Sequence, residues 1–386
     1  MHERHFAVVV IGGGPAGASA GYTLATNGIE TCIIDKHHFP RDKLCGGLLT
    51  LRTKNIFDRI FAADWNRILH GTAHGVNLFR RNVLLAKMKS SSSIFFTQRI
   101  EYDAFLIDLA SSSGANLVSG SAVKQIDLHR QRIILADGSR ISYDILVGAD
   151  GVNSLVGRVL CGRSFYKNRI GFALETEVAR GDFDDSSLIP EIHLGAARWG
   201  YAWVFPKRDS VTIGIGGLHK YNKNLMEKFY EFIILRLRHL PEMRIRGHFV
   251  PFGDFRKSPG RGNVLLCGDA AGLVDSMTGE GIAFAMESGH AAAIAVIEHL
   301  HHRRNVSPYE LYLSRYRKIS AVIRLSNRYR NFVYPRFSEM ALSKFLPHCR
   351  TLQEGYLNIL ADKIEYSHLP VLFRRQLYFG LQKLID

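Results

Sequence analysis

Apolar and polar positions follow two rhythms along this chain. Phe6 to Ile11 is a short, β-branched apolar run with the length of a buried parallel strand. A small-residue helix is predicted from there to about Asn27, with Gly28 as its stop, and Glu30 to Ile34 reads as a second strand. Ile94 to Thr97 is a short strand. Arg99 then opens a helix with apolar residues at Phe105, Leu106, Leu109 and Ala110. Asn116 to Leu135 alternates as a β-meander, and Ile145-Leu146-Val147 is a further strand. From about Ser164 to Phe252 short strands and turns dominate, with one clear helix, Asn224 to Leu240. Val264-Leu265-Leu266 is a returning strand, a small-residue helix runs from Ile282 to about His299, and the remainder is helical, aromatic and basic. The expected architecture is α/β. A Rossmann-like domain comprises 1–163 and 253–300, a β-sheet domain at 164–252 is inserted into it, and a helical region at 301–386 follows.

The first strand breaks into Gly12-x-Gly14-x-x-Gly17 at the start of a helix. In such a loop the first glycine allows the tight turn and the second lets the backbone approach a pyrophosphate. The third lets helix and strand pack closely. The helix N-terminus offers free N–H groups to a diphosphate. Asp35, at the end of the second strand, can accept from both hydroxyls of a ribose and repels a 2′-phosphate, which suits FAD or NAD better than NADP.

The composition narrows the class. With 386 residues, 46% hydrophobic and 35 glycines, the chain reads as a soluble two-domain α/β protein. The longest apolar candidate, Gly281 to Leu300, is broken by Glu287, Ser288 and His290, so no membrane span is expected. The N-terminus runs straight into the first strand, which argues against a signal peptide. Cys32, Cys45, Cys161, Cys267 and Cys349 are scattered without a CxxC pair, pointing to a reducing, cytoplasmic setting and against structural metal or disulfides. The net charge is +15, and from Arg303 onward there are 15 Lys/Arg against 6 Asp/Glu. No nucleic-acid module accompanies that charge, so nucleic acid is not an expected partner. An anionic membrane surface is, because Leu372, Phe373, Leu377, Leu381, Leu384 and Ile385 recur at near-helical spacing with Arg374, Arg375 and Lys383 off the stripe. The same stripe could equally dock on the protein's own core.

Four clusters stand together: Gly12 to Gly17 with Asp35, Arg99-x-x-Tyr102-Asp103, Gly148-Ala149-Asp150-Gly151, and Cys267-Gly268-Asp269. The set resembles the FAD-binding fold of the p-hydroxybenzoate hydroxylase group of flavoproteins. Lys43-Leu44-Cys45-Gly46-Gly47 and Tyr201-Ala202-Trp203-Val204-Phe205-Pro206 are similar to two segments of the geranylgeranyl reductase family. This resemblance implies that FAD lies against Gly12, Gly14, Ala16, Gly17, Asp35 and Lys36, then against Arg41, Lys43, Cys45, Gly46 and Val123. Arg99 is expected on its diphosphate side, with Asp150 and Gly268 also in contact. Asp269 is expected at the ribityl chain, and Gly279, Gly281 and Ile282 at the flavin edge, where a helix N-terminus stabilises the negative charge of a reduced flavin. The family usually carries a proline shortly before Thr278-Gly279-Glu280-Gly281-Ile282. Here the run is Asp275-Ser276-Met277, so a less rigid loop is expected.

Cys45 lies between a lysine and two glycines, where a thiol can be reactive rather than a buried hydrophobe. Tyr201, Trp203 and Phe205 alternate and so face one side of a strand, either as core or as the wall of a tunnel for a long apolar chain. The implied activity is reduction of carbon–carbon double bonds in a polyprenyl or lipid-like substrate, with Cys45 as the catalytic proton relay. The electron donor would be NAD(P)H or a ferredoxin-like protein. The alternative is an FAD-dependent aromatic or lipid monooxygenase of the same fold, and a non-catalytic flavin-bound lipid carrier is a third reading.

Overall fold

The computed structural model describes residues 3–371 except 81, 164, 167, 184–188, 303–304, 336–339, 341–343 and 345. The amphipathic stripe at 372–385 therefore lies outside the described residues. Two eight-stranded sheets organise them.

The first sheet is built on β1 (Arg4–Ile11), whose Val8, Val9 and Val10 are fully buried. Parallel neighbours flank it. On one side are β2 (Thr31–Asp35) and β6 (Asn116–Ser119), and on the other β9 (Arg140–Gly148) and β16 (Val264–Leu266). Ile11 lies beside Ile34 and Gly148, and Gly148 beside Leu266. The carboxyl ends of four strands thus fall in one row, and the loops after them open on the same edge, where open α/β sheets bind ligands. The hairpin β7 (Val123–Asp127) and β8 (Arg132–Leu135) joins β9, and β15 (Gly260–Arg261) joins β16. The expected meander at Asn116 to Leu135 is therefore split. Its first strand, β6, pairs in parallel with β2, because a crossover through a helix precedes it.

Helix α1 (Pro15–Thr26) packs on the sheet through Gly17, where an added Cβ would stand 1.7 Å from the Gly12 carbonyl oxygen. Gly12 itself has φ +102° and no room for a side chain against Ala149. Helix α2 (Leu51–Ile60) is followed by α3 (Arg99–Ser112), which packs beside α1, and the short α4 (Leu155–Cys161) packs on β9 and β16.

The second sheet runs in the order β14-β10-β13-β12-β11-β4-β5-β3. Its strands are β3 (Leu48–Leu49), β4 (Gly71–Arg80), β5 (Val83–Phe96), β10 (Gly171–Ala179), β11 (Glu191–Leu194), β12 (Gly200–Pro206), β13 (Ser210–Leu218) and β14 (Arg246–Val250). This departs from the expected boundaries. Residues 48–96 were assigned to the first domain, yet β4 pairs with β11, and the long β4–β5 hairpin extends the second sheet. β4 is paired on both sides, by β5 on one and by Glu191 to Leu194 on the other. Helix α5 (Leu225–Leu237) covers the outer face, and it ends at Arg238 in the left-handed region, two residues before the expected stop.

Helices α6 (Ile282–His301) and α7 (Pro308–Val333) follow the last strand, and α8 (Arg350–Leu360) crosses back to pack on β5 and the inner face of the second sheet. No helix among the described residues is long and apolar enough to cross a membrane.

Candidate functional site

Between the carboxyl edge of the first sheet and the inner face of the second lies a cavity of about 1000 Å³. Of the residues expected to touch cofactor or substrate, all but Gly17 and Gly268 line it. Those two lie behind it. Gly17 is pressed on Gly12, and the Gly268 N–H donates to Ser288 at 2.8 Å.

At one end, Asp35 is 7% exposed and takes the Gly13 N–H at 2.8 Å and the His37 N–H at 2.9 Å. Its carboxylate therefore ties the glycine loop to the next turn while facing the cavity. Nothing caps the N-terminus of α1, and only the end of Arg41 lies near Gly14. Arg41 bridges Asp35 at 3.7 Å and the fully buried Asp103 at 3.1 Å. Arg99 makes two bonds to Asp103, at 2.7 and 2.8 Å, and also contacts the Cys45 side chain. Thus Arg41 borders the glycine loop, and Arg99 stands beside the thiol. Asp150 reaches the cavity by its backbone corner, whereas its carboxylate accepts from Ser154, Leu155 and Val156 and caps α4.

Asp269 caps no helix, and its carboxylate faces Lys43 across the cavity. Lys43 makes no ion pair among the described residues, and burial pushes its pKa below the usual lysine range, with Asp269 opposing. A mostly buried cation without a partner, an uncapped helix N-terminus and an open approach at Gly14 together fit the diphosphate of a dinucleotide.

The thiol loop crosses the middle of the cavity. The Gly47 N–H points at Cys45 Sγ, 3.4 Å away, and the Cys45 N–H donates to Glu175 at 2.8 Å. Above the loop stands the aromatic strand. An added Cβ on Gly46 would meet Phe205 at 2.8 Å and Trp203 Nε1 at 3.0 Å. Trp203 lies over Gly214, its cross-strand partner, where a side chain would collide with the indole. Its buried Nε1 has no hydrogen-bond partner among the described residues. Trp203 and Phe205 belong to a packed cluster and also line the cavity, as do Tyr356 and Leu360 of α8.

The loop at Thr278 to Gly281 closes the third side. Tyr201 donates its hydroxyl to the Thr278 carbonyl. Asp275 accepts from the Met277 and Thr278 N–H groups at 2.8 and 3.1 Å, and Glu280 is held by Thr50, Thr53 and Arg52. In place of a proline, the Asp275 side chain fastens this turn.

Sequence reasoning passed over Glu175, Asp275, Arg52 and Tyr366. The available signal was weak: Glu175 is a buried charged residue on a strand that also carries Thr176 and Glu177.

A family model described as FAD binding domain matches residues 5–169. The menaquinone reductase of Mycolicibacterium smegmatis is 30% identical over 74% of this chain and 75% of its own length. The chloroplastic geranylgeranyl diphosphate reductase of Oryza sativa subsp. japonica is 29% identical over 76% of this chain and 67% of its own. A geranylgeranyl bacteriochlorophyll reductase-like structure from Thermoplasma acidophilum superimposes with a TM-score of 0.74 at 20% identity, over 95% of this chain and 94% of that one. The flavin-dependent brominase Bmp2 shares the fold at a TM-score of 0.75 and 17% identity, over 98% of this chain and 100% of that one. Fold alone thus does not choose the reaction.

Proposed function

Because the chain belongs to the geranylgeranyl reductase family of FAD-dependent oxidoreductases, we propose that it reduces carbon–carbon double bonds in the isoprenoid chain of a lipid-like substrate. The observation that carries this reading is the meeting of Cys45, Arg99 and the Tyr201/Trp203/Phe205 wall in the cavity that the glycine loop and Asp35 enter from the other end. Geranylgeranyl diphosphate and menaquinone, the substrates in the relatives' names, both carry such chains, which supports the substrate class.

Bound FAD, once reduced, supplies a hydride to one alkene carbon. The protein must bring a proton to the other. In this reading Cys45 holds that proton at Sγ, and the adjacent Arg99 and the Gly47 N–H stabilise the thiolate left behind. Asp35, Arg41 and Lys43 hold the dinucleotide, and Asp269 and the Gly279–Gly281 backbone hold the flavin end. Trp203, Phe205 and α8 exclude water from the apolar chain. NAD(P)H or a ferredoxin-like protein is the proposed donor.

The test is anaerobic reoxidation of the reduced protein by geranylgeranyl diphosphate, menaquinone and related prenyl lipids, with products identified by mass. A product two hydrogens heavier supports the reading. No anaerobic reoxidation, with a hydroxylated product once oxygen is admitted, overturns it in favour of a monooxygenase.

A further inference from the structure

The carboxyl of Glu175 has no part in the cofactor frame, yet it is 1% exposed and sits under the thiol loop. Four strands bring it there. Pairing places Arg246, Glu175, Gly214 and Trp203 in one row across β14, β10, β13 and β12. Glu175 Oε1 accepts the Cys45 N–H at 2.8 Å, whereas Oε2 is buried with no hydrogen-bond partner among the described residues. Arg246 lies 3.6 Å from Glu175 and also pairs with Asp42, so it straps the same loop from outside. The other charged groups facing Glu175 are Lys207 after β12, Arg99 on α3 and Glu177 on its own strand. Burial raises the Glu175 pKa to about 7, and the Cys45 N–H and Lys207 act against that rise.

A half-satisfied buried carboxyl costs stability and persists where the surroundings use it. We propose that Glu175 is a positioning residue for Cys45: its carboxylate, through the Cys45 N–H, fixes the loop that presents the thiol, and protonation loosens that hold. The inference rests on the proposed role of Cys45. A hydrogen bond to an ionised acceptor is roughly twice as strong as one to a neutral acceptor. The thiol loop is therefore held best above neutral pH. Gln at position 175 keeps an acceptor of the same reach but fixes the neutral state.

Two readouts on the FAD-loaded protein test this between pH 5.5 and 8.5. One is the limiting rate of anaerobic reoxidation by geranylgeranyl diphosphate. The other, free of substrate, is the iodoacetamide labelling rate of the Cys45 peptide, followed by mass spectrometry. Wild type is expected to gain about tenfold in rate on crossing pH 7 and to show a step in labelling there. E175Q is expected to be flat at the lower rate and to lose the step. R246Q, which removes a nearby cation and leaves Glu175 in place, is expected to move the step to higher pH. The step persisting unchanged in E175Q, or its absence from wild type and R246Q alike, overturns the proposal. C45S with the wild-type rate would instead remove the thiol from the reaction, and the labelling step would still decide the role of Glu175.

Discussion

The Tyr366 hydroxyl donates to both carboxylate oxygens of Asp275, at 3.0 and 2.9 Å, across 91 residues of sequence. Asp275 is fully buried, and its other partners are the N–H groups that shape the turn before Gly279. The C-terminal region is thereby fastened to the loop assigned to the flavin edge, and Asp362 adds a second fastening through Arg52 at 2.8 Å. Tyr366→Phe leaves a buried carboxyl without its side-chain donor, at a cost of about 1–3 kcal/mol. The expected outcome is faster FAD dissociation with the fold retained, read by flavin fluorescence and urea unfolding.

Asp35→Ala is expected to weaken FAD by about 1.5–3 kcal/mol, roughly ten- to a hundred-fold in Kd. Two effects combine: the ribose loses its acceptor, and the Gly13 and His37 N–H groups lose theirs. Titration of apoprotein with FAD measures it, and an unchanged Kd would place the ribose elsewhere.

Gly46→Ala drives a methyl group into Phe205 and Trp203. Overpacking of this kind costs about 1–3 kcal/mol. The substitution is expected to displace the thiol loop, slowing substrate-dependent reoxidation at least tenfold while the flavin stays bound. Wild-type turnover in this variant would mean that the loop and the aromatic wall move independently.

Glu175 also makes a statement about stability. Its folded pKa of about 7 lies above the ordinary glutamate value, so the folded state binds the proton more tightly than the unfolded one. The resulting penalty is absent below the unfolded pKa, grows as pH rises toward 7, and is complete above it, on the order of 3 kcal/mol. E175Q should therefore gain stability over wild type at pH 8 but not at pH 4, by urea unfolding at both. An equal difference at the two pH values would contradict a raised pKa.

The basic C-terminal segment is expected to hold the protein reversibly on anionic membranes. Each Lys or Arg near such a surface contributes about 1 kcal/mol, and salt screens it. Flotation with phosphatidylglycerol vesicles at low salt, lost at high salt, is the expected result. No flotation at low salt would assign the stripe at 372–385 to internal packing.

What the sequence determined by itself was local. The run Phe6 to Ile11, the glycine turn and Asp35 are contiguous, and their backbone chemistry permits few other conformations. The same holds for the corners at Gly148 and Cys267 and for the facing of Tyr201, Trp203 and Phe205, since strand periodicity needs no partner to be read. The tertiary structure decided whatever depends on which strands pair and in what register. It drew residues 48–96 into the second sheet and set Arg99 beside the thiol. It also set Glu175 under Cys45 from 130 residues away and Tyr366 on Asp275. Those contacts leave little local trace, because an inward carboxylate or tyrosine looks the same in sequence whatever it meets. Its partner is chosen by long-range burial, where an unpaired polar group is costly.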